Sequence, residues 1–269
     1  MRADWALLTA WQAARRLVRR SPRQPLRIAG LMAVRDYTDE LGAFEALKRL
    51  CDFTIVLDDN STESFPHRER CDEFLRLENR QPWNDQANRT LLMYRAFAHG
   101  CDWTISIDHD LAFSHGFRTR DDAAKLIREL EDDGREVCRF PLRELWESWS
   151  QWRSDGIWGR KSIAVLRRNW FTCPAITLKD PRLRLHTAPF PANLGQRLRI
   201  ETRHVAYHSG CRTLADRRAR VAKYAHEDPG HEFQRDYAYM LDDRGLELRP
   251  VPPDDLAAIH ELRRVAGGA

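Results

Sequence analysis

Three short apolar runs in the first hundred residues constrain the fold most. Arg27 to Val34 and Phe53 to Leu57 carry almost no polar side chain, and Trp103 to Ile107 ends directly on Asp108-His109-Asp110. A strand without a polar face must be buried on both sides, which is the condition of a parallel sheet covered by helices. Stretches of helical period separate the runs, at Asp39 to Leu50 and Asn84 to His99. The alternation predicts an α/β domain with a mostly parallel central sheet. Ligands of such sheets bind outside the carboxyl ends of the strands, so the residues that follow each run are the ones to inspect.

Two acidic sites stand there. Leu57-Asp58-Asp59-Asn60-Ser61-Thr62-Glu63 follows the second run, where carboxylate and amide oxygens could accept hydrogen bonds from a base and a ribose; the plain alternative is an Asx turn. Asp108 and Asp110 follow the third run as an Asp-x-Asp pair. Hard cations such as Mg²⁺ or Mn²⁺ take oxygen ligands and keep substrate phosphates and waters in their remaining positions. One such ion could hold a diphosphate and neutralise the charge that develops as it leaves.

The stretch TIVLDDNSTES from Thr54 resembles the strand-DD-x-S-T signature of family-2-type glycosyltransferases, and CDWTISIDHD from Cys101 resembles their strand ending in D-x-D. The intervening WNDQANRTLLMYRAFAHG resembles the helix before that strand, with its N-R pair at Asn88-Arg89. The resemblance covers Leu26 to Asp110 and implies a GT-A, Rossmann-like fold and transfer of a sugar from a nucleotide-diphosphate donor, a UDP-sugar first, to a hydroxyl acceptor. It implies that Asp58 or Asp59 meets the base or ribose, that Arg35 borders the nucleotide, that Arg89 and Asp108 lie in the donor site, and that Asp108 and Asp110 address Mn²⁺ or Mg²⁺. It also implies a further metal ligand from a late histidine, for which His208 in RHVAYHSG is the first choice, His204 the second and His186 a weaker third. Two departures stand out: His109 sits between the carboxylates, and no Q-x-x-R-W motif is present, which argues against a processive synthase. A sugar-nucleotide pyrophosphorylase is the rival enzyme, but it expects a glycine-rich phosphate loop where this chain reads Gly30-Leu31-Met32-Ala33-Val34-Arg35.

After Leu142 the pattern turns irregular and rich in tryptophan, which assigns residues 26–142 to the donor half and 143–269 to the acceptor half of one domain. An inverting transfer needs a carboxylate to take the acceptor proton. Asp155, among Trp146, Trp149, Trp152 and Trp158, is the leading base because indole faces stack on sugars; Glu144 and Glu147 are its rivals. Arg217, Arg220 and Lys223 share one face of a helix over Thr213 to Glu227 and could meet a diphosphate or an anionic acceptor.

Residues 1–27 carry +6 of a net charge of +4, leaving −2 for the remainder. A near-neutral body disfavours a wide nucleic-acid groove, although a glycan, a lipid-linked molecule, a small molecule or a nucleic acid all remain acceptors consistent with the sequence. Trp5 to Arg20 reads as a basic amphipathic helix ended by Pro22 and Pro25, so residues 1–25 form a separate segment, either packed on the body or in peripheral contact with an anionic membrane. If the chain were a non-enzymatic adaptor, this helix would be its binding element. No apolar run is long enough to span a bilayer, and the six cysteines lack metal or paired spacing, so the expectation is a cytoplasmic protein with reduced thiols.

Overall fold

Strand β1 (Ile28–Val34) is buried along its whole length and is the centre of the sheet. It pairs in parallel with β2 (Phe53–Asp58) on one side and β4 (Trp103–Ser106) on the other; β3 (Glu73–Arg76) extends the β2 edge, also in parallel. This is a computed structural model, and it describes residues 25–38, 40–79, 83–169, 197–231 and 236–267. The basic first helix, Cys173, Trp170 and His186 therefore lie outside the described residues.

Beyond β4 the sheet becomes mixed. β8 (Ser162–Arg168) runs antiparallel to β4 and to β6 (Val137–Leu145), and β7 (Gln151–Arg153) and β11 (Leu248–Pro250) continue outward. β9 (Leu198–Ile200) pairs with β6, while β10 (Ala206–His208) lies between β6 and β5 (Leu111–Phe113). The architecture is the expected α/β one, and its order β3-β2-β1-β4 places a reversal of strand order between β1 and β4. The crevice at such a reversal is where open α/β sheets take ligands.

Helices cover both faces. On one side α1 (Ala43–Leu50) turns Phe44, Leu47 and Leu50 into a core shared with Met32, Val56, Trp103 and residues of α3 (Arg120–Asp132). Each such side chain contributes roughly 1.5–3 kcal/mol by burial. Close packing here requires Gly30, because a Cβ would lie 2.6 Å from Leu47 Cγ. The one glycine of that segment therefore serves helix–strand packing and not a phosphate loop. On the other side α2 (Asp85–Ala98) buries Leu92, Met93 and Ala96 against Ala29, Leu31, Ile55 and Leu57.

Capping residues fix the helix starts. Asn84 accepts from Ala87 N–H, and Thr119 and Thr213 each form a reciprocal capping box with Asp122 and Asp216, opening α3 and α4 (Leu214–Glu227). α5 (Pro253–Gly267) closes over α1. Between α4 and β11 the described residues hold a short 3₁₀ turn at Ala238–Leu241. Among the described residues the cysteines are free, and no helix is long and apolar enough to cross a membrane.

Candidate active site

The carboxyl ends of β1 and β2 are tied into one laced loop. Asp58 is fully buried; its Oδ1 accepts from Ser61 N–H at 2.8 Å and its Oδ2 lies 3.3 Å from Arg76 Nη1. Ser61 Oγ accepts from Asp36 N–H, and Asp36 Oδ1 accepts from Thr62 N–H, both at 2.8 Å. Asp36 and Asn60 take left-handed backbone conformations, with φ of 53° and 51°, which Asp and Asn tolerate best among residues with a Cβ. Asp58 thus performs the turn-forming task.

Asp59 has a different role. Its Oδ2 accepts from Arg35 Nη2 at 2.8 Å and from Asn88 Nδ2 at 2.9 Å, while Arg35 Nε donates to the Asp59 carbonyl at 3.1 Å. The guanidinium also lies over Trp83, 5.3 Å from the ring centroid. Arg35, Asp59 and Asn88 therefore join the ends of β1 and β2 to the first turns of α2.

The two carboxylates of the Asp-x-Asp pair part company. Asp108, one-third exposed, accepts from Arg89 Nη2 at 3.0 Å, and Arg89 Nε donates to Asp85 at 2.7 Å. Between them His109 faces the Thr38 carbonyl, 3.2 Å from its Nδ1. Asp110 turns the other way, toward a residue nearly a hundred positions later.

That meeting follows from strand register. In β10 His208 is the partner of Leu111 in β5 and of Glu144 in β6, so its ring falls between Asp110 and Glu144. His208 Nε2 lies 2.8 Å from Asp110 Oδ2 and Nδ1 lies 2.6 Å from Glu144 Oε2. Two acceptors require two N–H donors, so the ring is an imidazolium. Burial pushes the His208 pKa down, but Asp110 and Glu144 raise it to about 9. Burial pushes Glu144 up, and His208 with Lys161 holds it at about 2. Asp110 is likewise held well below the usual carboxylate range, against its burial, by His208 and Arg220.

Arg220, from α4, donates to Asp110 Oδ2 at 2.7 Å. Gly210 makes this approach possible: a Cβ there would collide with the Arg220 guanidinium and lie 2.6 Å from Asp110 Oδ2. Lys223 lies one turn further on; desolvation and then Arg220 push its ammonium down, with Arg35 adding to the effect. Arg217 leaves this group, because it is buried under Trp146, 4.1 Å from the ring centroid, and donates to Glu147 at 2.6 Å.

Metal fit can be judged from these donors. Among the described residues no group of three or more His, Cys, Asp or Glu side chains is arranged to hold an ion. Asp110 Oδ2 and His208 Nε2 nonetheless face each other, and Glu144 orients the imidazole from its far side as carboxylates do behind metal-bound histidines. Once Nε2 gave up its proton, the neutral imidazole and Asp110 would offer two protein donors, which suit a hard ion that takes its other ligands from phosphate and water.

The remaining expected residues stand apart. Asp155 is bound by Arg153 through two hydrogen bonds, of 2.7 and 2.9 Å, and accepts from Glu247 N–H at 3.3 Å. The Arg153 hydrogen bonds hold its carboxyl below the ordinary value. The tryptophans around it are committed as well. Trp146 has Arg153 and Arg217 against its ring at 4.6 and 4.1 Å, and Trp149 has Arg212 and Arg263, each at 4.0 Å. Lys161 sits 3.8 Å over Trp158. Together these rings and cations form a cation–π framework around the start of the acceptor half. His204 packs on Phe117 and Phe140 and not on Asp110.

No family model and no curated protein matches this chain. Among solved structures, the mannose-1-phosphate geranyltransferase from Thermus thermophilus aligns over 91% of this chain at 13% identity and a TM-score of 0.30. The chain spans 65% of that protein's length. A UDP-glucose pyrophosphorylase complexed with UDP-glucose aligns over 91% of this chain and 99% of its own at 10% identity and a TM-score of 0.29. Likenesses this distant carry no argument about chemistry, which rests on the site itself.

Proposed function

We propose that this chain is a metal-dependent, non-processive, inverting glycosyltransferase of the GT-A type, moving a sugar from a nucleotide-diphosphate donor, a UDP-sugar first, to a hydroxyl acceptor. One observation carries the reading. At the reversal between β1 and β4, Asp110 of the Asp-x-Asp pair meets His208 and Arg220, with Glu144 on the far side of His208, all brought there from the far half of the chain. Arg35 and Asp59 would border the nucleotide, with Arg89 orienting Asp108 toward ribose, diphosphate or metal. Asp110 and His208 would hold Mn²⁺ or Mg²⁺, which supplies charge neutralisation at the departing diphosphate. Arg220 and Lys223 would add positive charge where that diphosphate collects.

A base must reach the acceptor hydroxyl. Asp155, the first expectation, is committed to Arg153. Glu147 suits the task better: it follows β6, its side chain is 53% exposed although Arg217 steadies it, and its backbone is left-handed at φ 56°, a conformation that costs energy in a residue with a Cβ. Any of the acceptor classes named above fits, provided it offers such a hydroxyl. The basic segment 1–25 would add contact with an anionic membrane surface.

A panel of UDP-, GDP- and TDP-sugars with Mn²⁺ tests the reading by release of nucleoside diphosphate and by thermal stabilisation, since a donor that binds the folded chain raises its melting temperature. Release of a nucleoside diphosphate from one donor supports it. Turnover of a sugar phosphate with a nucleoside triphosphate, without diphosphate release from any donor, would point to the pyrophosphorylase instead.

A further inference from the structure

Arg167 is the most anomalous charged group in the described structure. It is 4% exposed, and its Nε, Nη1 and Nη2 are all buried without a hydrogen-bond partner among the described residues. Guanidinium stays protonated under any condition in which the protein folds and presents five N–H donors in a fixed fork. A buried charge is ordinarily paired, because desolvation without compensation is costly. Here burial pushes the pKa of Arg167 down, and the one charge that acts appreciably on it among the described residues, Arg89, is a cation that pushes the same way.

Its location follows from register. Arg167 in β8 is the cross-strand partner of Thr104 in β4, and Thr104 is the partner of Ala29 in β1. Partners in register share a face, so Arg167 projects on the side that α2 covers, where Ala29 and Leu31 pack on Leu92 and Met93. Ser106 follows Thr104 on the same face by the two-residue alternation of the strand, and Asp108, two residues past its end, meets Arg89 of α2. Thr104 Oγ1 is already used, donating to the Arg167 carbonyl at 3.3 Å. The nearby carboxylates Asp85 and Asp108 are both taken by Arg89. The fork thus lies buried on the α2-covered face of β4 and β8, with the positive charge of Arg89 acting on it and no hydrogen-bond partner among the described residues.

We propose that Arg167 is the core of an oxyanion site, taking a phosphate or carboxylate group on the α2 face of β4 and β8, inboard of Asp108. Planar two-oxygen groups match the guanidinium fork, and the adjacent Arg89 excludes a cation. This site goes beyond the glycosyl-transfer reading and does not depend on it.

The test uses the full chain and small probes: inorganic phosphate and sodium acetate, titrated at fixed ionic strength and followed by calorimetry and melting temperature. Wild type should bind at least one of them saturably. Arg167→Met should lose roughly ten- to hundredfold in that affinity, the loss expected for charge-assisted hydrogen bonds. Without the anion this variant should melt at the same or a higher temperature than wild type, because an unpaired buried charge has been removed. Arg167→Lys should retain part of the affinity, and Lys125→Met, an exposed control, all of it. Binding of phosphate alone assigns a phosphate, and binding of acetate alone a carboxylate. Equal affinities in wild type and Arg167→Met, or no binding of either probe by wild type, would overturn the proposal. No nucleotide or sugar enters the measurement, so failure of the site and failure of the transferase reading are distinguishable.

Discussion

Gly210→Ala probes how tightly the Asp110 centre is assembled. The new Cβ would meet the Arg220 guanidinium and stand 2.6 Å from Asp110 Oδ2. Arg220 is the movable partner, since its head is the end of a flexible side chain; moving it forfeits the 2.7 Å bond to Asp110. A charge-assisted hydrogen bond contributes roughly 1.5–3 kcal/mol. Gly210 is outside the left-handed region, so alanine adds no backbone strain and should restrict the unfolded chain, a gain of about 0.4–1 kcal/mol. The net expectation is a loss of about 0.5–2.6 kcal/mol, measured by urea denaturation. In an Arg220→Met background the bond is already gone. There the same substitution should cost less, with only the 2.6 Å approach to Asp110 Oδ2 left to relieve, giving a coupling of about 1.5–3 kcal/mol in the double-mutant cycle. Equal effects of Gly210→Ala in both backgrounds would refute the claim that this glycine exists for the Asp110–Arg220 pair.

Two further predictions concern residues whose tasks the structure separates. Asp155→Asn should change glycosyl transfer by no more than about twofold, whereas Glu147→Gln should lower it by roughly 10²- to 10⁴-fold at unchanged donor affinity; the reverse pattern in steady-state kinetics would restore Asp155 as the base. Asp59→Ala should cost roughly 1.5–3 kcal/mol of stability, because Asp59 Oδ2 accepts a charge-assisted hydrogen bond from Arg35 and another bond from Asn88, while the Arg35 Nε bond to the residue 59 carbonyl is kept. A denaturation midpoint within error of wild type would mean that Arg35 finds another partner and that Asp59 does not tie β1 and β2 to α2.

Much of the scaffold is legible in the sequence because it is local. The apolar runs at β1, β2 and β4, the Asn84, Thr119 and Thr213 caps, and the acidic residues at strand ends all announce themselves within a few positions. Short half-polar strands such as β3, Glu-Phe-Leu-Arg, carry no such signal and escape the reading. His208 is readable as a histidine after an apolar run, in one expected metal set with Asp110, but the place of Glu144 beside it is not. Glu144 joins it through a pairing of β6 with β10 across 64 positions, and no local pattern encodes that register. Helical spacing groups Arg217, Arg220 and Lys223; only packing against Trp146 separates the buried Arg217 from Arg220, which reaches Asp110. The tryptophans meet a related limit, since sequence shows aromatic rings but not the arginines that cover them. Asp58 and Asp59, adjacent and alike on paper, part because successive residues leaving a strand point to different sides.

The central claim is that Asp110 and His208 make nucleotide binding depend on a divalent ion. Calorimetric titration of UDP into the full chain, with Mn²⁺ and with excess chelator, tests it most directly in wild type, Asp110→Ala and His208→Ala. The account predicts saturable binding by wild type that requires Mn²⁺, and an affinity lower by roughly tenfold or more in each variant, the loss expected when a ligand to charge is removed. Wild-type binding of equal strength in chelator, or Mn²⁺-dependent binding that survives in Asp110→Ala, would contradict it.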